Sequence, residues 1–531
     1  MNFLDRFNEK FEQSLEFLTA KNWRVFLVLF IVIFGLYFKT INYGYTFLDD
    51  TELILKNQEF LSKWENIPKV FTQGVFLEED DKYYRPLLTI SFMIDQKVSG
   101  KELWGYRLSN IFYHIVASFL VFCFLIKFNI CRKNVFLLSI IFAIHPVFAL
   151  AVAWVPGRND ILMTIFILLA LISYINYLMT NKFKYLYIFI LTFFIGLLVK
   201  ETVIMVIPLM ILITLFSYLK KIKKTIVPII LSLLCMLVFF IIRKSVIQSS
   251  MDFSLIKNYL SVVWYNKLAL VQHFGNFFIP IRLSTMHTIH DYPNYLGVVS
   301  LVTIFLPMFF LKPNFKKVLL GIIFYILFFF PAMVNLISME HRLYFPTIGI
   351  LIIIYQYFRK INFKIFFIPL FLLIIMLNLN YQSDFKNGYY FLKNARNTSP
   401  NQFFAFKHSG DYYRITNQEN DAISSYMRAL EILNNDNIPY LNVKSNRLTI
   451  LLSLSPLLIE KNNWQVLDDF KDRYYKYYPK ESKLHLYSAV IEIFQNKLDK
   501  AEKSLGKAIY YNNDYYISYY FLVVINNKIG N

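Results

Sequence analysis

The sequence predicts an all-α protein, a polytopic membrane bundle of about eleven spans followed by a small helical solenoid. Three observations carry this. The 531 residues are 56% hydrophobic and 19% aromatic with a mean hydropathy of +0.44, beyond an ordinary globular composition. Long apolar runs alternate with five short basic loops that contain no acid. After about residue 381 the chain turns polar and rich in Tyr and Asn, with no further apolar run long enough to cross a bilayer.

A span needs about 20 mostly apolar residues. The runs 24–40, 108–127, 134–154, 160–179, 184–200, 202–219, 225–243, 295–312, 317–336, 343–358 and 363–380 fit that requirement. The residues before them, 1–23, are polar and mixed in charge, unlike a cleavable signal, and Trp23 and Arg24 read as an interfacial anchor. The basic loops hold Lys127, Arg132 and Lys133; Lys182 and Lys184; Lys220, Lys221, Lys223 and Lys224; Lys312, Lys316 and Lys317; and Arg359, Lys360 and Lys364. The positive-inside rule makes these loops cytoplasmic and accounts for much of the net charge of +20 before nucleic acid need be invoked. Cys123, Cys131 and Cys235 lie in or beside apolar runs without CxxC spacing, so no disulfide framework or zinc site is indicated.

This topology places the N-terminus inside and the segment 41–107 outside, where eleven acids outnumber eight bases. The junctions 155–160, Lys200-Glu201, 244–293 and Ser338 to Arg342 fall on the same outer side. The run 257–280, interrupted by Lys267, Gln272 and His273, reads as an interfacial or re-entrant helix, because a single crossing there would invert every later loop. Within the first outer loop, Tyr84-Arg85-Pro86 followed by Leu87, Ile90, Ile94 and Val98 predicts a surface helix with proline in its first turn.

In the tail, residues 420–430 and 498–509 share small residues seven apart, with a weaker copy at 463–470. That pattern matches the second helix of a tetratricopeptide (TPR) pair and predicts a helical solenoid, a binding surface by default. The expected domains are therefore a cytoplasmic segment 1–23, a transmembrane domain 24–381 and an extracytoplasmic TPR-like domain 382–531.

The ionisable residues at the outer membrane edge are Asp49, Asp50, Arg85, His145, Arg158, Asp160, Lys200, Glu201, His287, His290, Asp291, Glu340, His341 and Arg342. Such groups cost several kcal/mol near lipid unless paired or hydrated. Mixed acids and cations suit a reaction that needs one general base and a cationic cradle for an anionic leaving group. Each residue also has a plainer reading. Asp49-Asp50 can form an Asx turn or cap, His145 can bond a backbone carbonyl, Gly157-Arg158-Asn159-Asp160 can be a turn and N-cap, and Lys200-Glu201 can be a boundary ion pair.

As an ordered set these residues resemble a known family. The set comprises Asp49-Asp50, Tyr84-Arg85-Pro86-Leu87, His145-Pro146-Val147 with Ala151 to Trp154 and Gly157 to Asp160, Lys200-Glu201, and Glu340-His341-Arg342-Leu343-Tyr344-Phe345-Pro346. It is similar to membrane glycosyltransferases of the GT-C class and, with the repeat tail, to the transmembrane and TPR-containing protein O-mannosyltransferase-like proteins and their bacterial relatives. Phe148 and Leu150 stand where relatives often carry polar residues. The resemblance implies a polyprenyl-phosphate sugar donor and an acceptor hydroxyl, on protein or glycan, at the outer face. It further implies Asp49 as general base with Asp50 as an orienting or acceptor-binding partner, Arg85, Arg158, Lys200 and Arg342 around the lipid phosphate, and inversion at the anomeric carbon. Tyr84, His145, Asp160, Glu201, His290, Glu340 and His341 are the supporting residues in this scheme.

The 15 glycines include no GxGxxG or Walker spacing, which sets aside dinucleotide and P-loop chemistry, and no DxD motif lies on a soluble nucleotide-binding domain. No cofactor is required; a divalent cation on Asp49, Asp50 and His290 or Asp291 stays open. Competing readings are a surface-polysaccharide ligase or polymerase, a TPR scaffold with an inert anchor, and a transporter. The abundance of Ile, Lys, Asn, Phe and Tyr points to an AT-rich genome and a bacterial inner membrane, with the N-terminus inside and the C-terminal domain outside.

Overall fold

The computed structural model describes residues 3–78, 81–247, 260–289, 291–335, 339–358, 364–434, 443–461, 463–477, 479–512 and 516–529. Among these every regular element is a helix. The chain divides into two compact units, Met1–Pro400 and Asn401–Asn531.

Each of the eleven apolar runs forms helix, but among the described residues seven helices are long and apolar enough to cross a membrane: Asn22–Asn42, Leu103–Ile126, Val155–Thr180, Leu219–Val246, Asn294–Leu311, Phe315–Val334 and Phe367–Phe385. The count of about eleven full spans is corrected accordingly. An eighth candidate, Arg132–Ile144 with Pro146–Ala153, is bent by 50° at its break. The bend follows from the sequence, since His145 precedes proline and takes an extended backbone (φ −65°, ψ 130°) that cannot continue a helix. The remaining three, Phe183–Val199, Glu201–Ser217 and Thr347–Tyr357, are shorter. Chain turns at Lys200 and after Tyr344 cut them off, so a hydropathy count registers apolar length that the backbone does not use as one straight rod.

The outward faces of this unit are apolar, as a bilayer requires. Leu233, Leu234, Leu237 and Ile241 on one helix and Phe309 and Phe310 on another are exposed. This is a multi-pass membrane protein. Inside, polar cross-links join the helices: Asn378 donates to the Tyr37 hydroxyl at 3.0 Å and to the Ile144 carbonyl at 2.8 Å, and His114 bridges the Tyr344 hydroxyl and the Ala143 carbonyl. Where the helices of Gly321 and Gly349 cross, a Cβ on Gly321 would lie 2.6 Å from the Gly349 carbonyl oxygen, so the close approach requires glycine.

Two outer segments frame the site. The helix Pro86–Ser99 carries proline at its start and buries Leu88, Phe92 and Met93, while Ile94 and Val98 face outward. Helix Ala269–Phe278, in the run read as re-entrant, has ten residues, about 15 Å at 1.5 Å each, too short to cross. The first unit also keeps residues that the composition assigned to the tail. Phe385 and Phe391 are fully buried, Gly44 N–H donates to the Lys386 carbonyl at 2.8 Å, and Asn394 joins Asp384 to the loop at Leu283.

The second unit is built of helices packed in sequence-neighbouring pairs, Phe403–Ile415 with Glu419–Leu433 and Ser482–Phe494 with Leu498–Tyr511. The small residues seven apart explain the pairing. Ala422 and Ala429, like Ala501 and Ala508, are fully buried, and a Cβ on Gly410 would collide with the Tyr426 ring at 2.6 Å. Two apolar clusters result, one around Leu430, Leu451 and Leu467 and one around Leu486, Leu505 and Ile525.

Candidate active site

The first outer loop opens with a turn closed by Asp50. Its carboxylate accepts from Thr46 N–H at 2.6 Å, Thr46 Oγ1 at 2.9 Å, Leu48 N–H at 3.2 Å and Thr51 N–H at 3.0 Å. Closed in this way, the turn holds Phe47 in the left-handed region (φ +59°) that a phenylalanine enters only under constraint. Burial pushes the Asp50 carboxyl upward, opposed by the bonds from Thr46 and by the charge of Arg107. The turn is then tied to the bundle. Trp154 Nε1 donates to Thr46 Oγ1 at 3.1 Å, and the buried Arg107 donates to the carbonyls of Tyr43 (3.1 Å), Gly44 (2.6 Å) and Ala153.

Asp49 is the other half of the pair and its opposite. It is half-buried, and no hydrogen bond or ion pair engages its carboxylate among the described residues. Burial raises its pKa first, the neighbouring Asp50 raises it further, Arg85 and Arg342 pull it down, and it settles at about 6. A carboxylate poised there, with both oxygens open, can accept a proton near neutral pH.

Around it lies an ionic cluster. Arg85, the residue before Pro86, grips Glu201 with Nη2 to Oε1 at 2.8 Å and Nε to Oε2 at 3.2 Å. Lys200 Nζ sits 2.7 and 2.8 Å from the two oxygens of Asp160, in the first turn of helix Arg158–Thr180. His341 Nε2 is 3.6 Å from the same Asp160, and its ring packs on Trp154 at 5.7 Å. Arg342 Nη1 donates to the Ala332 carbonyl at 3.1 Å, and its charge acts on Asp160, Arg85 and Asp49. Thus Asp49, Arg85, Asp160, Lys200, Glu201, His341 and Arg342 share one neighbourhood. The chain Asp50, Thr46, Trp154, His341, Asp160, Lys200 runs through it as consecutive contacts.

The structure places other expected site residues differently. Arg158, expected at the donor phosphate, is fully buried and saturated: it pairs with Asp95 at 2.5 Å and donates to Asn110 Oδ1, Ser91, the Tyr106 carbonyl and Ser109 Oγ. All five of its N–H donors have partners, so no donor is left for a ligand. In the structure it ties helices Pro86–Ser99, Leu103–Ile126 and Arg158–Thr180 together. His145 caps the proline turn, its Nδ1 accepting from Val147 N–H and its Nε2 bonding the Phe277 carbonyl at 2.8 Å. Tyr84 is buried, its hydroxyl on the Phe71 carbonyl. Glu340 is buried one residue away from the cluster, with Oε1 on Ser284 N–H at 2.8 Å. His290 lies outside the described residues. Asp291 accepts from Thr288 Oγ1 at 2.7 Å, and no group of three or more His, Cys, Asp or Glu side chains is gathered for a metal ion among the described residues.

Arg107 escaped functional notice in the sequence, and Trp154 was noticed only as part of the run Ala151 to Trp154, with no role of its own. A lone arginine at the start of an apolar run reads as a snorkelling anchor, and only the fold reveals that it faces inward. The one available signal was the AVAW run itself, in which the indole is the sole side-chain donor.

Residues 87–242 match the family model described as dolichyl-phosphate-mannose-protein mannosyltransferase. Over these residues the membrane unit is similar to protein O-mannosyltransferases. Drosophila melanogaster "Protein O-mannosyl-transferase Tmtc1" is 31% identical over 175 residues, 32% of this chain and 20% of that protein. Human "Protein O-mannosyl-transferase TMTC2" is 30% identical over 154 residues, 28% of this chain and 18% of its own length. A Caenorhabditis elegans protein O-mannosyl-transferase is 34% identical over 183 residues, 32% and 25% of the two chains. The chain therefore spans a quarter or less of the length of these curated relatives. No solved structure matches the chain significantly. The family match covers the saturated Arg158, Lys200 and Glu201 but begins after Asp49 and Arg85 and ends before Arg342.

Proposed function

We propose that this O-mannosyltransferase-like protein transfers a glycosyl group, with mannose the first candidate, from a polyprenyl-phosphate donor to an acceptor hydroxyl at the outer membrane face. The observation that carries the reading is Asp49, a half-buried carboxylate with no bond of its own among the described residues, raised to about 6 by burial and by Asp50 and within the field of Arg85 and Arg342. The family likeness supplies the donor class.

In this reaction the acceptor oxygen attacks the anomeric carbon as its proton passes to Asp49. The bond from that carbon to the phosphate oxygen breaks, and the electron pair leaves with the lipid phosphate. A single displacement inverts the anomeric centre. Arg85, Arg342 and Lys200 receive the phosphate. Arg85 uses Nε and one Nη2 proton on Glu201, which leaves the Nη1 side of its fork for phosphate oxygens. Glu201 and Asp160 hold these cations in place before donor arrives, and Asp50 with Trp154 and Arg107 fixes the turn that presents Asp49. The paired helices of the second unit serve as the acceptor-binding surface, and the bundle sits in a bacterial inner membrane with that unit outside.

The test is steady-state transfer of labelled sugar by purified protein in nanodiscs. Asp49→Asn is expected to lower kcat by about 100-fold or more with donor KM nearly unchanged. Arg342→Ala is expected to raise donor KM. Unchanged kcat in the first variant removes Asp49 from the role of base.

A further inference from the structure

Next to the ionic cluster lies a second group of buried polar atoms that the scheme above does not use. Glu340 is fully buried, and while its Oε1 is bonded to Ser284 N–H, its Oε2 has no partner among the described residues. His287, 1% exposed, leaves both ring nitrogens unbonded among the described residues. Tyr292 and Tyr381, 6% and 5% exposed, each leave the hydroxyl unbonded among the same residues. These groups are near one another. The rings of His287 and Tyr292 are 5.2 Å apart, and Glu340 is close enough to both tyrosines for its charge to act on each.

Left unbonded, each such atom costs about 1–3 kcal/mol. Five such atoms on four neighbouring side chains mark a surface made to bind something polar. Its chemistry narrows the ligand. Imidazole and phenol each offer one donor and one acceptor, and burial raises Glu340 to about 8, so a protonated carboxyl adds a further donor at neutral pH. Burial likewise depresses His287 to about 3 and keeps its ring uncharged. A neutral set of alternating donors and acceptors does not suit a phosphate or a metal ion; it suits several hydroxyls.

We propose that Glu340, His287, Tyr292 and Tyr381 form a subsite for the hydroxyls of the sugar carried by the lipid donor. The inference rests on the transferase reading. Location favours it: Glu340, His341 and Arg342 are consecutive in one 3-10 turn, Glu340–Leu343, so the subsite and the phosphate cradle adjoin by a residue or two. The loop bearing His287 is fixed from below, with Ser284 Oγ accepting from Thr398 at 2.7 Å and Thr285 N–H donating to Asn394 Oδ1 at 2.9 Å. A sugar seated there places its phosphate toward Arg342.

The test measures affinity of the full chain in nanodiscs for bare polyprenyl phosphate and for polyprenyl-phosphate mannose, glucose and N-acetylglucosamine. Wild type is expected to bind its preferred sugar donor at least ten times tighter than the bare phosphate. His287→Ala, which breaks no hydrogen bond among the described residues, and Glu340→Leu are expected to reduce that ratio to near one without altering affinity for the bare phosphate. Glu340→Gln, neutral and hydrogen-bonding, is expected to keep most of it and reports whether the site still folds. An unchanged ratio in His287→Ala and Glu340→Leu, or loss of bare-phosphate binding equal to loss of donor binding, overturns the subsite while leaving the transferase reading intact. Wild type binding neither lipid overturns that reading, and the subsite with it.

Discussion

Arg158→Met separates a ligand-binding arginine from a structural one. The side chain is wholly buried, pairs with Asp95 at 2.5 Å and makes five further hydrogen bonds to residues on two other helices. Methionine fills much of the volume but leaves Asp95, 3% exposed, with Ser109 Oγ as its remaining side-chain partner. Removing one member of a buried pair costs about 3–5 kcal/mol, chiefly from the charge left behind. The hydrogen bonds are part of that figure and are not added to it. The expected outcome is a loss of about 3–5 kcal/mol in reversible denaturant unfolding in mixed micelles, with donor affinity at low temperature within about threefold of wild type. Arg158→Met with Asp95→Leu is expected to recover more than half of the loss, because no buried charge then remains. A single variant of wild-type stability whose donor affinity falls tenfold or more would refute the reasoning and return Arg158 to the phosphate.

Three further outcomes follow from the same geometry. Asp50→Asn puts an amide N–H among four donors, and should cost about 1–3 kcal/mol of stability and disable transfer through the turn, whereas Asp49→Asn should leave stability unchanged; chemical unfolding of the two variants side by side checks this. With Asp49 near 6, kcat/KM should rise with pH through about 6 as the base loses its proton, and that limb should vanish in the residual activity of Asp49→Asn. Glu340, raised from 4.5 to about 8, favours the folded state most below about 4.5 and loses that contribution as pH climbs through about 8, so wild-type stability should decline across this window more steeply than that of Glu340→Gln in pH-dependent unfolding.

The sequence disclosed the helical class and the position of the eleven apolar runs of the membrane unit, because bilayer hydropathy acts on runs of residues and needs no tertiary knowledge. It overcounted full spans where His145-Pro146 and Lys200 break apolar runs, since composition does not record a change of direction. At the site, Arg85 with Glu201 and Lys200 with Asp160 were visible as charges at one membrane edge, although their pairing was not. Asp49 and Asp50 were legible as a pair, but which of them is free depends on the Thr46 backbone reaching one carboxylate. Arg158 and Arg107 look alike in sequence, each a lone arginine at a helix start. Both are buried and bonded within the protein because buried helix faces, set only by packing, surround them.

The most direct test of the central claim is release of free polyprenyl phosphate from polyprenyl-phosphate mannose by the purified chain in nanodiscs, with a mixture of cell-envelope proteins and glycans as acceptors, wild type beside Asp49→Asn. Release by wild type and little or none by the variant, at equal donor binding, is the predicted result. Equal release by both, or none by a folded wild type that binds the donor, would contradict it.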